Sequence, residues 1–240
     1  MLSLIVPAYK EGQHIYDNLI EIDKVLAEMS EPYEIIPVND GSPDNTAGEI
    51  MRAAEQIASV KPVSYEKNRG KGGAITEGIA HAEGDVIGFI DADLDISPTH
   101  VPVYLTALRE SGADIVIGSK MHKESKLDYP FVRKVVSMGY FIMLKVLFGL
   151  KCHDTQTGIK LYRAELIKDV AGKLRTRGYA FDIEILAVAT RHKAKLKEMP
   201  VTIEFQRGES FGRIRFRDIW KMFTDTWSIW WNLRVRKIYD

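Results

Sequence analysis

The chain has 240 residues, 45% of them hydrophobic, with 33 Lys plus Arg balanced by 33 Asp plus Glu. That length and apolarity suit one large α/β domain with a sizeable core and exclude a disordered chain, while zero net charge leaves no basic footprint for nucleic acid. Cys152 is the lone cysteine, which excludes an intrachain disulfide and a thiolate zinc cluster and points to a reducing, cytoplasmic compartment.

The short apolar start, residues 2–6, has no basic leader and predicts a first strand, not a signal peptide. Residues 15–29 carry helical periodicity, with Ile15, Leu19, Ile22 and Leu26 on one face. Residues 33–38 predict the next strand, and Asp44, Asn45 and Thr46 supply N-cap chemistry for a helix to Ala58. A short strand follows at 63–66, a helix at 72–82, a buried strand at 86–90, a helix at 98–109 and a strand at 114–117. This alternation predicts an α/β fold with a doubly wound, mostly parallel sheet. After Gly118 the chain turns polar and basic, then apolar from Val135 to Leu150. That run is interrupted by Lys145 and falls short of the roughly 20 residues that cross a bilayer. Strands are expected at 159–162 and 196–205, with helices at 181–190 and 216–238. A single domain is expected, with a nucleotide-binding half at 1–118 and an acceptor-binding, membrane-facing half at 119–240.

Three constellations carry chemistry. In Phe89-Ile90-Asp91-Ala92-Asp93-Leu94-Asp95 an apolar strand delivers carboxylates at alternate positions to its C-terminal end, where open α/β sheets bind ligands. Such a cluster repels itself and suits Mg²⁺ or Mn²⁺ beside diphosphate oxygens. A calcium loop is excluded, because Ile96 and Pro102 stand at its sixth and twelfth positions. A phosphohydrolase with an aspartyl nucleophile, or a merely solvated acidic loop, fits the same residues. In Val38-Asn39-Asp40-Gly41-Ser42 a strand end meets a helix start; a carboxylate there can accept a nucleobase imide N–H, though alone the segment reads as a capped turn. Asn68-Arg69-Gly70-Lys71-Gly72-Gly73 lets backbone approach a phosphate, with Lys71 adding charge. It is neither a phosphate loop, lacking Gly-Lys-Ser/Thr, nor a dinucleotide fingerprint, since Ile75 replaces the third glycine.

In this order the three resemble the family 2 glycosyltransferases of the nucleotide-diphospho-sugar-binding, GT-A type fold. Val6-Pro7-Ala8-Tyr9-Lys10-Glu11 is similar to that family's Val-Pro-x-Tyr-Asn-Glu opening, with Lys10 for Asn, and Asn39-Asp40-Gly41-Ser42 to its Asp-Asp-Gly-Ser. Asp91-Ala92-Asp93 matches its metal motif. Arg133-Lys134, Ser137, the run from Asp154 to Tyr162 and Phe181-Asp182-Ile183-Glu184 resemble the dolichol-phosphate mannose synthase and glucosyltransferase branches. Two departures stand out: Lys120 replaces an arginine, and Phe211 in Gly208-Glu209-Ser210-Phe211 replaces a phosphate-contacting lysine, for which Arg207 or Arg213 can substitute.

The resemblance implies that Pro7, Tyr9, Glu11, Val38 and Asp40 hold the nucleoside. It places Asp91 and Ala92 against ribose and phosphate, near Lys71 and Gly72, and makes Asp93 and Asp95, with Asp91, the ligands of Mg²⁺ or Mn²⁺. It implies an inverting transfer of a hexose from a nucleotide sugar to a polyprenyl (dolichyl) phosphate, positioned by Lys120, Arg133 and Arg207. UDP-glucose and GDP-mannose both remain open as donors. Residues 66–74 and 117–122 look closer to the glucosyltransferase branch. Asp154, Asp182 and Glu184 either orient sugar hydroxyls or hold the second half together.

All four tryptophans, Trp220, Trp227, Trp230 and Trp231, fall in the last predicted helix with Arg215, Arg217, Lys221, Arg234, Arg236 and Lys237. Tryptophan with long cations suits a lipid headgroup layer, so a C-terminal interfacial helix and peripheral association with the cytoplasmic membrane face are expected. Core packing of that helix is the alternative. A glycan-extending transferase, and a silent nucleotide-sugar-binding module, remain as rival functions.

Overall fold

The computed structural model describes the chain except residues 126–130, 177, 179, 204–215 and 240, and except the side chains of 131–138 and 216–220. Seven strands, β1 (Leu2–Ala8), β2 (Tyr33–Asp40), β3 (Val63–Tyr65), β4 (Val86–Ile90), β5 (Ile115–Ser119), β6 (Ile159–Arg163) and β7 (Leu196–Pro200), form one sheet in the order β3-β2-β1-β4-β6-β5-β7. β6 runs antiparallel to both its neighbours and the other pairings are parallel. The mostly parallel, doubly wound expectation therefore holds. A strand from the second half, however, lies inside the sheet.

Helices α1 (Ile15–Leu26), α2 (Thr46–Gln56), α3 (Lys71–His81), α4 (His100–Glu110), α5 (Phe131–Phe148), α6 (Ala164–Lys173), α7 (Phe181–Arg191) and α8 (Phe216–Trp231) cover its faces. Strand residues alternate between two cores, as the period of a pleated strand requires. Ile5, Ile87, Phe89, Ile117 and Tyr162 point to the side of α3, α6 and α7, whereas Leu4, Val6, Ile90, Val116 and Leu161 point to that of α1 and α4. β4 is buried throughout, which fits its central place and its run of Val, Ile and Phe.

The boundaries differ from expectation where tertiary contacts intervene. The expected strand at 196–205 ends as β7 at Pro200, after which Val201 N–H donates to Ser125 Oγ at 3.0 Å, and Ile203 bridges Ile96. α6 was not foreseen, although Ile167, Val170 and Ala171 form its buried stripe. The last helix continues into a π-helical turn at Asn232–Arg236. Among the described residues no helix is long and apolar enough to cross a membrane.

Candidate active site

The carboxyl ends of β2, β3 and β4 carry the three constellations, beside the loop that follows β1. At the end of β4 the chain alternates: Ala92, Leu94 and Ile96 are buried, while Asp91, Asp93 and Asp95 turn outward. Asn18 of α1 fastens the segment by donating to the Ala92 carbonyl at 2.7 Å. Leu94 sits at φ +51°, which bends the strip so that Asp95 N–H reaches Asp93 Oδ1 at 3.3 Å.

Lys71 opens α3, and its Nζ lies 2.5 Å from Asp91 Oδ1. Burial works against the ammonium, but Asp91, Asp182 and Asp93 outweigh it and hold Lys71 charged above its usual range. The glycine-rich loop and the acidic motif are thus one site. Asp93 has the opposite problem. Burial, then Asp91 and Asp95, push its carboxyl up to about 6. Among the described residues no three His, Cys, Asp or Glu side chains gather closely enough to hold a metal ion. Asp91, Asp93 and Asp95 do not form such a group here, and Asp91 pairs with Lys71.

Asp40, at the end of β2, is 3% exposed and firmly held. Its Oδ1 accepts the Tyr65 hydroxyl at 2.8 Å and Arg69 N–H at 2.6 Å, and its Oδ2 accepts Asn68 Nδ2 at 2.9 Å. Burial, then the bond to Asp40, raises the Tyr65 hydroxyl well above its ordinary value, so it stays a donor. Gly41, at φ +63°, brings the turn against Asn68, where a Cβ would meet the Asn68 nitrogen at 2.6 Å. Asn39, where the family pattern has a carboxylate, donates to Ser64 Oγ at 2.9 Å and accepts Ser42 N–H at 3.1 Å. An amide does both and a carboxylate cannot.

Loop 9–12 is tied to the start of α2. Thr46 Oγ1 accepts Glu11 N–H at 2.9 Å, and Asp44 accepts Gly12 N–H at 3.1 Å and the Thr46 hydroxyl at 2.6 Å. Asp44, not Asn45, therefore provides the side-chain cap. Lys10 stands at φ +61°, a backbone region where asparagine is at home, which accounts for the family's Asn at that position. Tyr9 is 43% exposed and Pro7 half-buried beside the cleft. Val38 has its side chain fully buried in the core, which leaves only its backbone to face a nucleoside. Gly72 is buried in the first turn of α3.

In the second half, Lys120 N–H donates to Asp154 Oδ2 at 3.0 Å, with its Nζ 3.8 Å from the same oxygen. Glu184 is wholly buried and accepts Arg175 N–H, Thr176 N–H and the Tyr239 hydroxyl, so it holds structure and does not meet a sugar. Asp182 is 4% exposed and pairs with Lys160. Arg133 lies in the first turn of α5, but its side chain, like Arg207, Arg213 and the loop at 208–211, lies outside the described residues. Sequence reasoning missed Asn18, Tyr65 and Asn68 as an Asp40 ligand, which no local pattern marks; Gly158 and Lys160 fall in the run from Asp154 to Tyr162 that carries the resemblance, but without an assigned role.

Strand ends that bring a buried carboxylate and an acidic–ammonium pair to the carboxyl edge of a mostly parallel sheet fit a nucleotide-diphospho-sugar transferase of GT-A type. Residues 3–171 match the family described as Glycosyl transferase family 2, and the chain belongs to it. Similar proteins include the dolichyl-phosphate beta-glucosyltransferases of Trichomonas vaginalis, 29% identical over 98% of this chain and 77% of that one, and of Dictyostelium discoideum, 30% identical over 92% and 76%. The Saccharomyces cerevisiae protein of the same name is 28% identical over 84% of this chain and 66% of its own. Among solved structures, glucosyl-3-phosphoglycerate synthase from Mycobacterium tuberculosis, in complex with Mn²⁺, UDP and glucosyl-3-phosphoglycerate, superimposes with a TM-score of 0.70. It is 19% identical, covering 97% of this chain and 79% of that one, which speaks for the fold. Family membership sets aside the aspartyl-phosphohydrolase alternative.

Proposed function

We propose that this chain transfers glucose from UDP-glucose to a polyprenyl (dolichyl) phosphate, with inversion, at a membrane surface. The observation that carries the donor half is the state of Asp40. A carboxylate has about four acceptor positions, and Tyr65, Arg69 and Asn68 fill both on Oδ1 and one on Oδ2. One position remains, which suits the single imide N–H of uracil. Guanine offers two parallel donors and needs an open position on each oxygen. The names of the similar dolichyl-phosphate beta-glucosyltransferases support the sugar and the acceptor.

A divalent cation fits the residues present. The raised Asp93 carboxyl marks uncompensated negative charge, and Mg²⁺ or Mn²⁺ typically takes one or two carboxylates and completes its shell with substrate phosphates. Asp93, aided by Asp95, would hold it. When bound, the ion offsets charge on the departing nucleotide. Lys71 supplies a second cation facing the diphosphate. The acceptor phosphate has a second pKa of about 6 and is largely dianionic at neutral pH, so no strong general base is needed. One phosphate oxygen forms the bond to the anomeric carbon as the bond to UDP breaks, and UDP leaves with the electron pair. Lys120, Arg133 and Arg207 are proposed to position the acceptor.

The surface argument rests on α8. Thr226, Ile229 and Leu233 face the protein, while Phe223, Trp227 and Trp231 form an exposed stripe one turn apart. Ile142 and Val146 of α5 are also exposed, and α5 meets α8 through Tyr140, whose hydroxyl is 2.9 Å from Thr226 Oγ1. With exposed Lys221, Arg234, Arg236 and Lys237 nearby, this stripe suits an anionic lipid layer. The deciding experiment supplies UDP-glucose or GDP-mannose, Mg²⁺ or Mn²⁺, and polyprenyl phosphate or a free oligosaccharide. Glucosylated lipid phosphate from UDP-glucose is expected; transfer to the oligosaccharide alone would overturn the acceptor, and no transfer at all would favour a silent binding module.

A further inference from the structure

β6 belongs to the second half of the chain, yet it runs between β4 and β5. Its register sets Ile159 opposite Ile90, which brings the preceding Gly158 beside Asp91. Asp91 N–H donates to the Gly158 carbonyl at 3.0 Å. A methyl carbon on Gly158 would lie 2.8 Å from Asp91 Cγ, so only glycine leaves the carboxylate where it stands. The neighbouring Thr157 carbonyl accepts Lys160 Nζ at 2.7 Å. Lys160 has no exposed surface, and its Nζ lies 2.8 Å from Asp182 Oδ1, an ion pair instead of an aligned hydrogen bond. Lys71 and Lys160 both approach the Phe89 ring, at 5.7 and 5.0 Å. A continuous run of contacts therefore leads from Asp182 through Lys160, Thr157 and Gly158 to Asp91 and Lys71.

Stability alone does not account for that buried pair. Desolvation of two charges offsets much of their attraction, and well-packed apolar residues commonly serve as well.

We propose that Lys160 and Asp182 are positioning residues of the donor site: through the Thr157–Gly158 backbone they fix where Asp91 stands, and so how Lys71 and Asp93 meet the diphosphate and its cation. This rests on the reading of the cleft as a metal–nucleotide site. Neither residue touches the donor.

The test is Lys160→Met with Asp182→Asn, which removes both charges at similar volume, read by thermal midpoint, by calorimetric affinity for UDP with Mn²⁺, and by donor KM against kcat. The expected result is a folded protein with a near-normal midpoint and UDP affinity lowered by about tenfold, the lower end of what one lost charge-assisted contact, here that of Lys71 with the diphosphate, costs, and KM raised more than kcat falls. Gly158→Ala strikes the same run of contacts at its other end and is expected to give the same split. Tyr239→Phe removes a donor to buried Glu184, outside this run, and is expected to lower stability while keeping UDP affinity. Wild-type UDP affinity in a folded double variant or a folded Gly158→Ala overturns the inference. So does an equal loss of affinity in Tyr239→Phe, or failure of both site variants to fold. A wild type that binds neither UDP nor GDP overturns the proposed function as well, so the two failures are distinguishable.

Discussion

Lys71 Nζ sits 2.5 Å from Asp91 Oδ1, so the first residue of α3 closes onto the first carboxylate after β4. The contact places a cation where a divalent ion would otherwise draw on Asp91. Lys71→Ala is therefore expected to move two affinities in opposite directions. Mn²⁺ alone should bind more tightly, because Asp91 is released and a like charge is gone. UDP at saturating Mn²⁺ should bind about tenfold to a hundredfold less tightly, the effect of losing one charge-assisted contact of about 1.5–3 kcal/mol. Calorimetry with the metal, then the nucleotide, reads both. A parallel change in the two would separate Lys71 from the diphosphate.

The raised carboxyl of Asp93 gives a pH dependence with a definite sign. Burial, Asp91 and Asp95 lift it to about 6, above its unfolded value of about 3.9. The folded state thus binds this proton more tightly than the unfolded chain, and between these two pH values the metal-free protein loses stability as pH rises. Metal binding runs the other way, because the ligand must be ionised. Mn²⁺ affinity should climb from pH 5 to pH 7 and then level off, with thermal stabilisation by Mn²⁺ following it. Asp93→Asn should flatten the profile and reduce turnover by orders of magnitude, and EDTA should abolish wild-type activity. An Mn²⁺ affinity independent of pH across this window would remove Asp93 from the ligand set.

Some of this site is written locally, and some is not. The end of β4 was legible because Asp91, Asp93 and Asp95 alternate with buried Ala92 and Leu94, a period-two pattern that survives in the structure. Asp40 was legible as a candidate through its turn, but its chemistry depends on Tyr65, Asn68 and Arg69, brought over by β3 and the loop after it. Val38 was assigned to the ligand by its place in a motif, whereas pleating turns it into the core. The antiparallel entry of β6 between β4 and β5 has no signature in the residues of β6 itself, so Gly158 and Lys160 stood out only as part of a resembling run and not as neighbours of Asp91. For the last helix the structure shows core packing on one side, through Ile229 and Leu233, and leaves Trp227 and Trp231 outward, a two-sidedness that the spread of tryptophans in the sequence did not resolve.

Donor choice is expected to depend on Tyr65. Its hydroxyl occupies Asp40 Oδ1 together with Arg69 N–H, while Oδ2 keeps one open position beside Asn68. Tyr65→Phe opens a position on Oδ1 and leaves the ring under the Arg69 guanidinium, which lies 4.2 Å from its centroid. Both carboxylate oxygens can then meet the two donors of guanine. The ratio of UDP to GDP affinity should fall by about tenfold, in line with one added charge-assisted bond of about 1.5 kcal/mol. Competition by UDP and GDP against a labelled donor measures the ratio. An unchanged ratio would show that Asp40 does not read the base.

The final expectation concerns the exposed stripe of α8. Phe223 is 42%, Trp227 58% and Trp231 45% exposed, on the side opposite Thr226, Ile229 and Leu233. Such a stripe leaves three aromatic faces in water, while Trp227 stacks on Trp230 with ring centroids 5.1 Å apart. Replacing Phe223, Trp227 and Trp231 together by serine removes the apolar stripe and keeps Thr226, Ile229 and Leu233, while giving up the Phe223 contact with Tyr140 and the Trp227 stack on Trp230. If the stripe enters the headgroup layer, co-sedimentation with anionic vesicles should be lost and transfer to vesicle-borne polyprenyl phosphate should fall. UDP affinity should stay close to wild type, and the midpoint should fall only by the loss of two ring pairs worth about 0.5–1.5 kcal/mol each. Ile229→Ala makes the converse change. It hollows the packed side, where truncating a buried Ile costs about 2–5 kcal/mol, and should lower the midpoint without releasing the folded protein from vesicles. Added salt weakens the contribution of Arg234, Arg236 and Lys237 but not that of the rings, so vesicle binding should weaken only in part at high ionic strength. A triple variant that still binds vesicles, yet loses stability as Ile229→Ala does, would assign the stripe to packing and place the lipid contact elsewhere.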